Sequence, residues 1–595
     1  MKNKKTTVFF LIGFFVALLY LLPHIVLEIK HEDYSPFYGK DSDIMVIDDT
    51  WAYGSRAQTY YKTGSWISDS AIYENQNKKF AIEISPQIII SILHLAFSFD
   101  AIYYISVLFS ITISLAISMF FLDKLFNNVL YSFISSYSFF FLSSIFEWMP
   151  ALVPTMDKFY GIGYSPLLKF YNYSFYFAPL LSMYFFYYLS LRTDKNRYMI
   201  LSSIFFLISI FSGAFRTIYT LLSLGFISFY LFTFKKNLRR TLIYQSIIYA
   251  IPFILFILYV ILTIDKNVMG IYKNKIGVYV GHLTLFNFTS LQYFIVFTLL
   301  FLLVYLINRK FIFEKLDYIL IIWILFLTGF LMSNVNLIFG SVPQPDRIIV
   351  IFMIPFLAIL AILFIFLTLS RLCINYHKIT LISLSILILL IGTIHYYDFI
   401  FNRNYADKNT KDLIAFLKEV EPNSVILTID PFLMGYIQFF TNNFIYIPNG
   451  FTSASDDHEL GSRLGNAFRI YNFSEERVKF YTERRNIEDL DDEYKSFWTF
   501  VVHHQNRVNI YHPDKEEAMH SIKELEKINR SRDIVRYYKI PTIMYEAIYY
   551  QYNKPKKLGY KLDYVIVGPK EGEIVIPDST PVYSNSEYTV YHLDT

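Results

Sequence analysis

A single cysteine, Cys373, stands among 595 residues. No intramolecular disulfide and no cysteine-based metal cluster can form, so any exported part folds without covalent staples. Charge is scarce: Asp, Glu, Lys and Arg make 17% of the chain, against about 25% in soluble domains. The 53 basic and 49 acidic residues nearly cancel, which removes the bulk attraction to nucleic acid that a strongly basic chain would have. A GxxxxGK[ST] pattern is missing, which argues against a nucleotide-driven pump. Internal repeats, low-complexity tracts, collagen periods and heptads are missing too. Glycine is sparse, and 60 Phe and 51 Tyr accompany much Ile, Asn and Lys. That is a chain-wide compositional bias, so aromatic abundance by itself points to no site.

What the chain has is apolar sequence in long runs. Hydrophobic residues make 54% of it and the mean hydropathy is +0.38; together these exclude an ordinary soluble protein. Residues 101–395 hold 28 charges, whereas the other 300 residues hold 74, so the middle reads as membrane and the ends as water-facing. A span needs about 20 mainly apolar residues. Eleven segments qualify: 7–27, 101–122, 129–146, 174–191, 198–215, 217–234, 242–264, 291–307, 318–339, 348–369 and 379–396. The first follows Lys2, Lys4 and Lys5 but no A-x-A-like site follows it, which reads as an uncleaved anchor. With the N-terminus inside, Lys124, then Arg192, Lys195 and Arg197, then Lys235, Lys236, Arg239 and Arg240, then Arg309, Lys310 and Lys315, then Arg371 and Lys378 all fall in inner loops, as positive-inside bias requires. Residues 28–100 and 147–173 become outer loops of a transmembrane domain 1–396, and 397–595 an extracytoplasmic α/β domain. In that tail, 412–420 and 518–528 read as helices, and 424–429, 444–447, 562–568, 573–576 and 588–593 as strands.

The spans are nearly free of ionisable groups, so chemistry is expected at the outer face, and a coupled carrier is disfavoured. The first outer loop contains DDTWAYGSRAQTYYKTGSW, residues 48–66. Asp49, Tyr53, Arg56 and Tyr60 are spaced 4, 3 and 4, which puts them on one face of a short helix closed by Gly64. A carboxylate there can act as general base and an arginine can hold phosphate in a fork. Equally, Asp48 or Asp49 can be an N-cap. Among outer-surface cations, Arg216 lies in a short turn between spans and Arg347 follows Asp346 at the head of another; a head-group anchor and a boundary ion pair are their plainer readings. His503 and His504 are adjacent and lack the i, i+4 spacing of a zinc helix. The run Asp456, Asp457, His458, Glu459 with Arg463 reads as a solvated charged loop.

Asp49, Tyr53, Gly64 and Trp66 after a first span, with Pro86 opening an amphipathic stretch 87–99 before the second, resemble the GT-C superfamily of polytopic membrane glycosyltransferases, in particular the polyprenyl-phosphate-sugar-dependent mannosyltransferase and aminoarabinose-transferase type. The late HP or PP pair of the first loop appears here only as Ser85-Pro86. The resemblance implies an α-helical polytopic fold of about eleven transmembrane helices with a soluble C-terminal α/β domain. It implies transfer of a sugar from a polyprenyl-phosphate donor to an acceptor at the outer face of a bacterial-type cytoplasmic membrane. Asp49, with Asp48 and Glu147, would be the catalytic acids; Arg347, Arg216 and Arg56 would hold the donor phosphate; Tyr53, Tyr60 and Trp66 would line the substrate. A divalent cation, Mg or Mn, could be held by Asp48, Asp49 and Glu147. Glu147 can also simply end a span at the water boundary. The expected partners are the lipid-linked sugar and membrane lipid. The alternative is a non-enzymatic flippase or assembly partner for lipid-linked saccharides, which predicts a cavity running through the bundle.

Overall fold

The structure, a computed structural model, describes residues 2–31, 34–37, 56, 58–79, 84–146, 174–193, 195–263, 279–280, 288–335, 341–342, 348, 351–372, 377–402, 405–448, 453–482, 506–507, 536–537, 542–554, 559–572, 574–577 and 579–593. It comprises two compact units. The first is built from residues 1–29, 98–258 and 279–402, the second from 30–97, 259–278 and 403–595.

The first unit is helical. Each of the eleven apolar segments coincides with a helix, from Lys2–Lys30 through Phe99–Phe126, Val129–Phe146, Ser174–Thr193, Asn196–Ile210, Ala214–Phe234 and onward to His377–Asn402. Six helices, Lys4–Lys30, Phe99–Phe126, Arg216–Phe234, Lys236–Thr263, Ser290–Ile307 and Leu316–Ser333, are long and apolar enough to cross a membrane. Small residues let the helices approach, as lipid-phase packing favours. A Cβ on Gly13 would lie 2.7 Å from Thr112 O, so the first helix and Phe99–Phe126 touch backbone to backbone. Hydroxyls are spent inside the bundle. Tyr20 and Tyr137 share a 2.7 Å hydrogen bond, and buried His24 bonds Tyr396 at 2.7 Å and Tyr103 at 3.2 Å. Strands β1 (Tyr279–Val280) and β2 (Ser341–Val342) pair antiparallel.

The second unit is an α/β body. Strands β3 (Val425–Leu427) and β4 (Phe444–Ile445) are parallel, while β5 (Asn506–Arg507) and β6 (Arg536–Tyr537) form a separate pair. The main sheet continues through β7 (Tyr564–Val567), β8 (Ser579–Ser584) and β9 (Thr589–Leu593) in the order β4-β3-β7-β9-β8. β3 runs parallel to β7, and β9 is antiparallel to β7 and β8. Asp407 and Asp430 cap the helices Lys408–Glu419 and Pro431–Phe440 by accepting from the Thr410 and Phe432 amides, the ordinary use of Asp at that position. Residues 574–577 are not a strand. The strand expected at 573–576 is displaced to 579–584, where Pro581 coincides with an irregular register against β9, consistent with proline's restriction to edges and bulges. The helix expected at 518–528 lies outside the described residues.

Residues 58–79, expected in the first outer loop, pack into this second unit. Ile445 N donates to Ala71 O at 3.1 Å, covering the exposed edge of β4, and Asp69 accepts from Ala454 N at 2.7 Å, Ser453 Oγ at 3.0 Å and Ala71 N at 2.8 Å. The charged run at 456–463 is corrected as well. Asp456 caps the helix Asp457–Ile470, and fully buried Arg463 pairs with Glu459 at 3.0 Å and with Glu74 at 2.8 Å. The helices Asp457–Ile470 and Thr542–Asn553 cross at Gly461 and Gly465; a Cβ at Gly461 would lie 2.5 Å from Met544 O, and one at Gly465 would collide with Ile548 O. Gly461→Ala is therefore expected to destabilise the second unit by about 1–3 kcal/mol through overpacking, measured as a lowered unfolding midpoint of the detergent-purified full chain.

Candidate functional site

The motif-bearing segment is described from Arg56 onward. Asp48, Asp49, Tyr53, Glu147 and Arg347 lie outside the described residues, so the arrangement of the carboxylates expected to act on substrate or hold a cation is not placed. Gly64 closes the short helix Thr59–Thr63 in the left-handed region, φ 70°, with its amide bonded to Tyr60 O, the C-terminal geometry expected of glycine. Arg56 is buried. Tyr60 is 40% exposed and stacks on Trp66, ring centroids 4.5 Å apart. These two rings form an aromatic face on the loop, and the buried Trp66 indole N–H makes no hydrogen bond in the structure.

Behind that face the segment is locked by two side chains. Gln58 Nε2 donates to Phe439 O at 3.1 Å, and Lys62 Nζ donates to Gln438 O at 2.9 Å and Asn443 O at 2.8 Å. Lys62 is fully desolvated, and burial pulls its ammonium down to about 7. Two carbonyl acceptors favour the charged form; loss of water opposes it and dominates. Beside this lock a cavity of about 280 Å³ is lined by Gln58, Tyr61, His94, Lys418, Thr441 and Asn442 among others. Tyr61 Oη donates to Ser91 O at 2.7 Å and its ring meets His94 edge-on. Burial lowers the His94 pKa and raises that of Tyr61, which keeps both groups neutral near pH 7. Sequence spacing gave no signal for Lys62 or His94, because what distinguishes them is contributed by residues near 440.

In the tail, the C-terminal ends of parallel β3 and β7 form the crevice where open α/β sheets commonly take ligands. Here Glu571 fills it. Its carboxylate accepts from Thr428 Oγ1 at 3.0 Å, Ile429 N at 2.9 Å and Gly568 N at 3.1 Å, and burial pushes its pKa up to about 7 despite those donors.

Arg216 belongs to the first unit. It lies in the first turn of Ala214–Phe234, fully buried, rather than in an exposed turn. Its Nη1 donates to Ser212 O at 2.7 Å and its guanidinium sits 5.7 Å from the Tyr176 ring centre. Tyr176 Oη bonds Thr220 at 3.3 Å, and one turn further Tyr219 stacks on Phe352 at 3.9 Å. Tyr219 and Phe352 line one end of a cavity of about 600 Å³, whose other end is lined by Arg192, Lys235 and Asp317. Among the described residues no group of three or more His, Cys, Asp or Glu side chains is placed to hold a metal ion.

Three solved structures, all of the oligosaccharyltransferase of Archaeoglobus fulgidus, are similar to this chain. The apo form is 12% identical with a TM-score of 0.45, covering 84% of this chain and 72% of its own. The complex with an inhibitory peptide and a dolichol-phosphate has the same identity and coverages at a TM-score of 0.44. The form tethered to an acceptor peptide containing the NVT sequon is 12% identical at 0.44, over 86% of this chain and 72% of its own. No family model and no curated protein matches the chain.

The Lys62 lock has a pH signature. Its folded pKa lies below the unfolded value of 10.5, so between pH 7 and about 10.5 the unfolded chain binds more protons and stability rises with pH. The expected gain is a few kcal/mol across that window. Lys62→Met should flatten this rise relative to the parent, read as unfolding midpoints of the purified full chain at pH 7 and pH 9.5.

Proposed function

We propose that this chain is a GT-C-like membrane glycosyltransferase that transfers a sugar from a polyprenyl-phosphate donor to an acceptor at the outer face of a bacterial-type cytoplasmic membrane. The observation that carries the reading is the fastening of the motif-bearing segment. From Gln58 to Lys79 the first outer segment is tied into the α/β body by hydrogen bonds that Gln58 and Lys62 donate and that Asp69 and Glu74 accept. A loop that must present a carboxylate at a fixed place needs such support, and a plain membrane anchor does not. Topology supports the outer placement. The three pieces of the second unit are separated by six apolar helices and then by four. Even numbers of crossings return the chain to one side, which accords with eleven spans, the N-terminus inside and the tail outside.

In this reading Asp49 takes the proton of the acceptor hydroxyl or amine as the acceptor atom bonds the anomeric carbon. The bond from that carbon to the phosphate oxygen breaks, with inversion, and the polyprenyl phosphate departs with the electron pair. Asp48 and Glu147 support Asp49 or share a divalent ion with it. Arg216, Arg347 and Arg56 are the cations assigned to the departing phosphate, and Tyr53, Tyr60 and Trp66 line the sugar and acceptor. The aromatic face of Tyr60 and Trp66 suits stacking against the apolar side of a sugar ring. The translocation alternative needs charged groups along a path through the bundle, and those lining the bundle cavity, Arg192, Lys235 and Asp317, gather at one end.

Removal of a general base costs about 10²–10⁴ in rate. Asp49→Asn is expected to lower transfer from a labelled polyprenyl-phosphate sugar by at least about 10²-fold in membranes of the source cell, with unchanged insertion. Wild-type transfer by that variant would overturn the assignment. Trp66→Ala is expected to raise KM several-fold with a smaller change in kcat, since it removes a contact made in both ground and transition states.

A further inference from the structure

The cavity of the first unit is long, narrow in chemistry and charged at one end. Its wall on Ser174–Thr193 extends from Phe177 to Arg192. Fifteen residues at 1.5 Å per residue make about 22 Å, roughly three quarters of a hydrocarbon core about 30 Å thick. Leu122, Leu180, Ile227, Leu325, Phe356 and Ile359 supply apolar lining. Of the five tyrosines that line it, three have hydroxyls engaged within the protein: Tyr184 bonds Ser223, Tyr187 bonds Ser228 at 2.9 Å and Tyr219 donates to Leu325 O at 3.2 Å. Such apolar walls give ordered water few partners, and the cavity opens to the surroundings of the bundle. Inside a bilayer the abundant filler of matching chemistry is a hydrocarbon chain.

The charged end tells which lipid. Arg192, Lys235, Asn237 and Asp317 line it. Asp317 is satisfied within the protein, by Lys235 Nζ at 2.7 Å and by Tyr230 Oη at 2.7 Å. Arg192 lies over the Tyr188 ring at 5.3 Å. Lys195, Arg197, Lys236, Arg239 and Arg240 follow at the same helix ends, so with Arg192 and Lys235 the sequence of these two loops carries seven cations and one acid. A basic rim of this kind attracts anionic lipid heads.

We propose that this cavity binds an anionic membrane phospholipid, one acyl chain inserted between the helices and the phosphate held at Arg192 and Lys235. The site is at the opposite end of the Ala214–Phe234 helix from Arg216, so it is separate from the donor-phosphate assignment and independent of the transferase reading.

The test uses the delipidated full chain in detergent, titrated with phosphatidylglycerol or phosphatidylcholine and read by native mass spectrometry. One phosphatidylglycerol is expected to bind at least ten-fold more tightly than phosphatidylcholine. The double variant Arg192→Gln, Lys235→Gln should abolish the preference, and Leu180→Trp, which fills the cavity, should abolish retention of either lipid. Should Leu180→Trp fail to fold, the double variant decides alone. Equal affinity for the two lipids, an unchanged preference in the double variant, unchanged retention in folded Leu180→Trp, or displacement of the phospholipid by added polyprenyl phosphate at equal concentration would overturn the proposal.

Discussion

Burial of cations away from carboxylates is the constraint on which much of this structure turns. A buried ammonium or guanidinium without partners is costly, and residues 101–395 hold 20 Lys and Arg against 8 Asp and Glu. The chain answers with main-chain carbonyls. Lys62 is held by Gln438 O and Asn443 O, Arg216 by Ser212 O, Lys315 by Lys124 O, and Arg477 by Lys570 O and Glu571 O. Even Arg463, which has two carboxylates, also donates to Tyr446 O. Except for Arg216, whose acceptor lies four residues away, each such bond ties a side chain to backbone distant in sequence, so the same contacts that satisfy charge also fix where segments meet.

That device explains why the helices were legible in the sequence and the partners of Lys62 and Arg463 were not. Twenty apolar residues in a row are a local signal with a single stable outcome in hydrocarbon, and each expected segment has its helix within a few residues. Gly64 was legible for a similar reason, since one left-handed residue ends a short helix. The run at 456–463 was misread because i, i+4 spacing shows Glu459 beside Arg463 but not Glu74, which arrives from 389 residues away. The β8 strand was missed because Pro581 within it and Pro577 just before it argue locally against a strand, while pairing along β9 outweighs them. Arg216 was visible as a lone charge in apolar sequence; its burial against Tyr176 and Thr220 was not.

The tail gains a role from what occupies its own crevice. An open sheet with parallel β3 and β7 offers backbone amides at the strand ends, the usual place for an anionic ligand. Glu571 takes the Ile429 and Gly568 amides and the Thr428 hydroxyl, while Arg477 reaches from the next helix to the carbonyls of Lys570 and Glu571. The chain thus supplies its own anion, and a ligand would have to displace a fully buried carboxylate bound by three donors. The opposite edge of the sheet is different: β4 is covered by Ala71, the loop before it takes Lys62 at Asn443 O, and the end of the helix Pro431–Phe440 takes Gln58 at Phe439 O. A sheet whose ligand crevice is internally filled and whose β4 edge is covered at Ala71 is built to hold the segment 58–79. The tail therefore acts as a brace for that segment, fixing it through Gln58, Lys62 and Asp69.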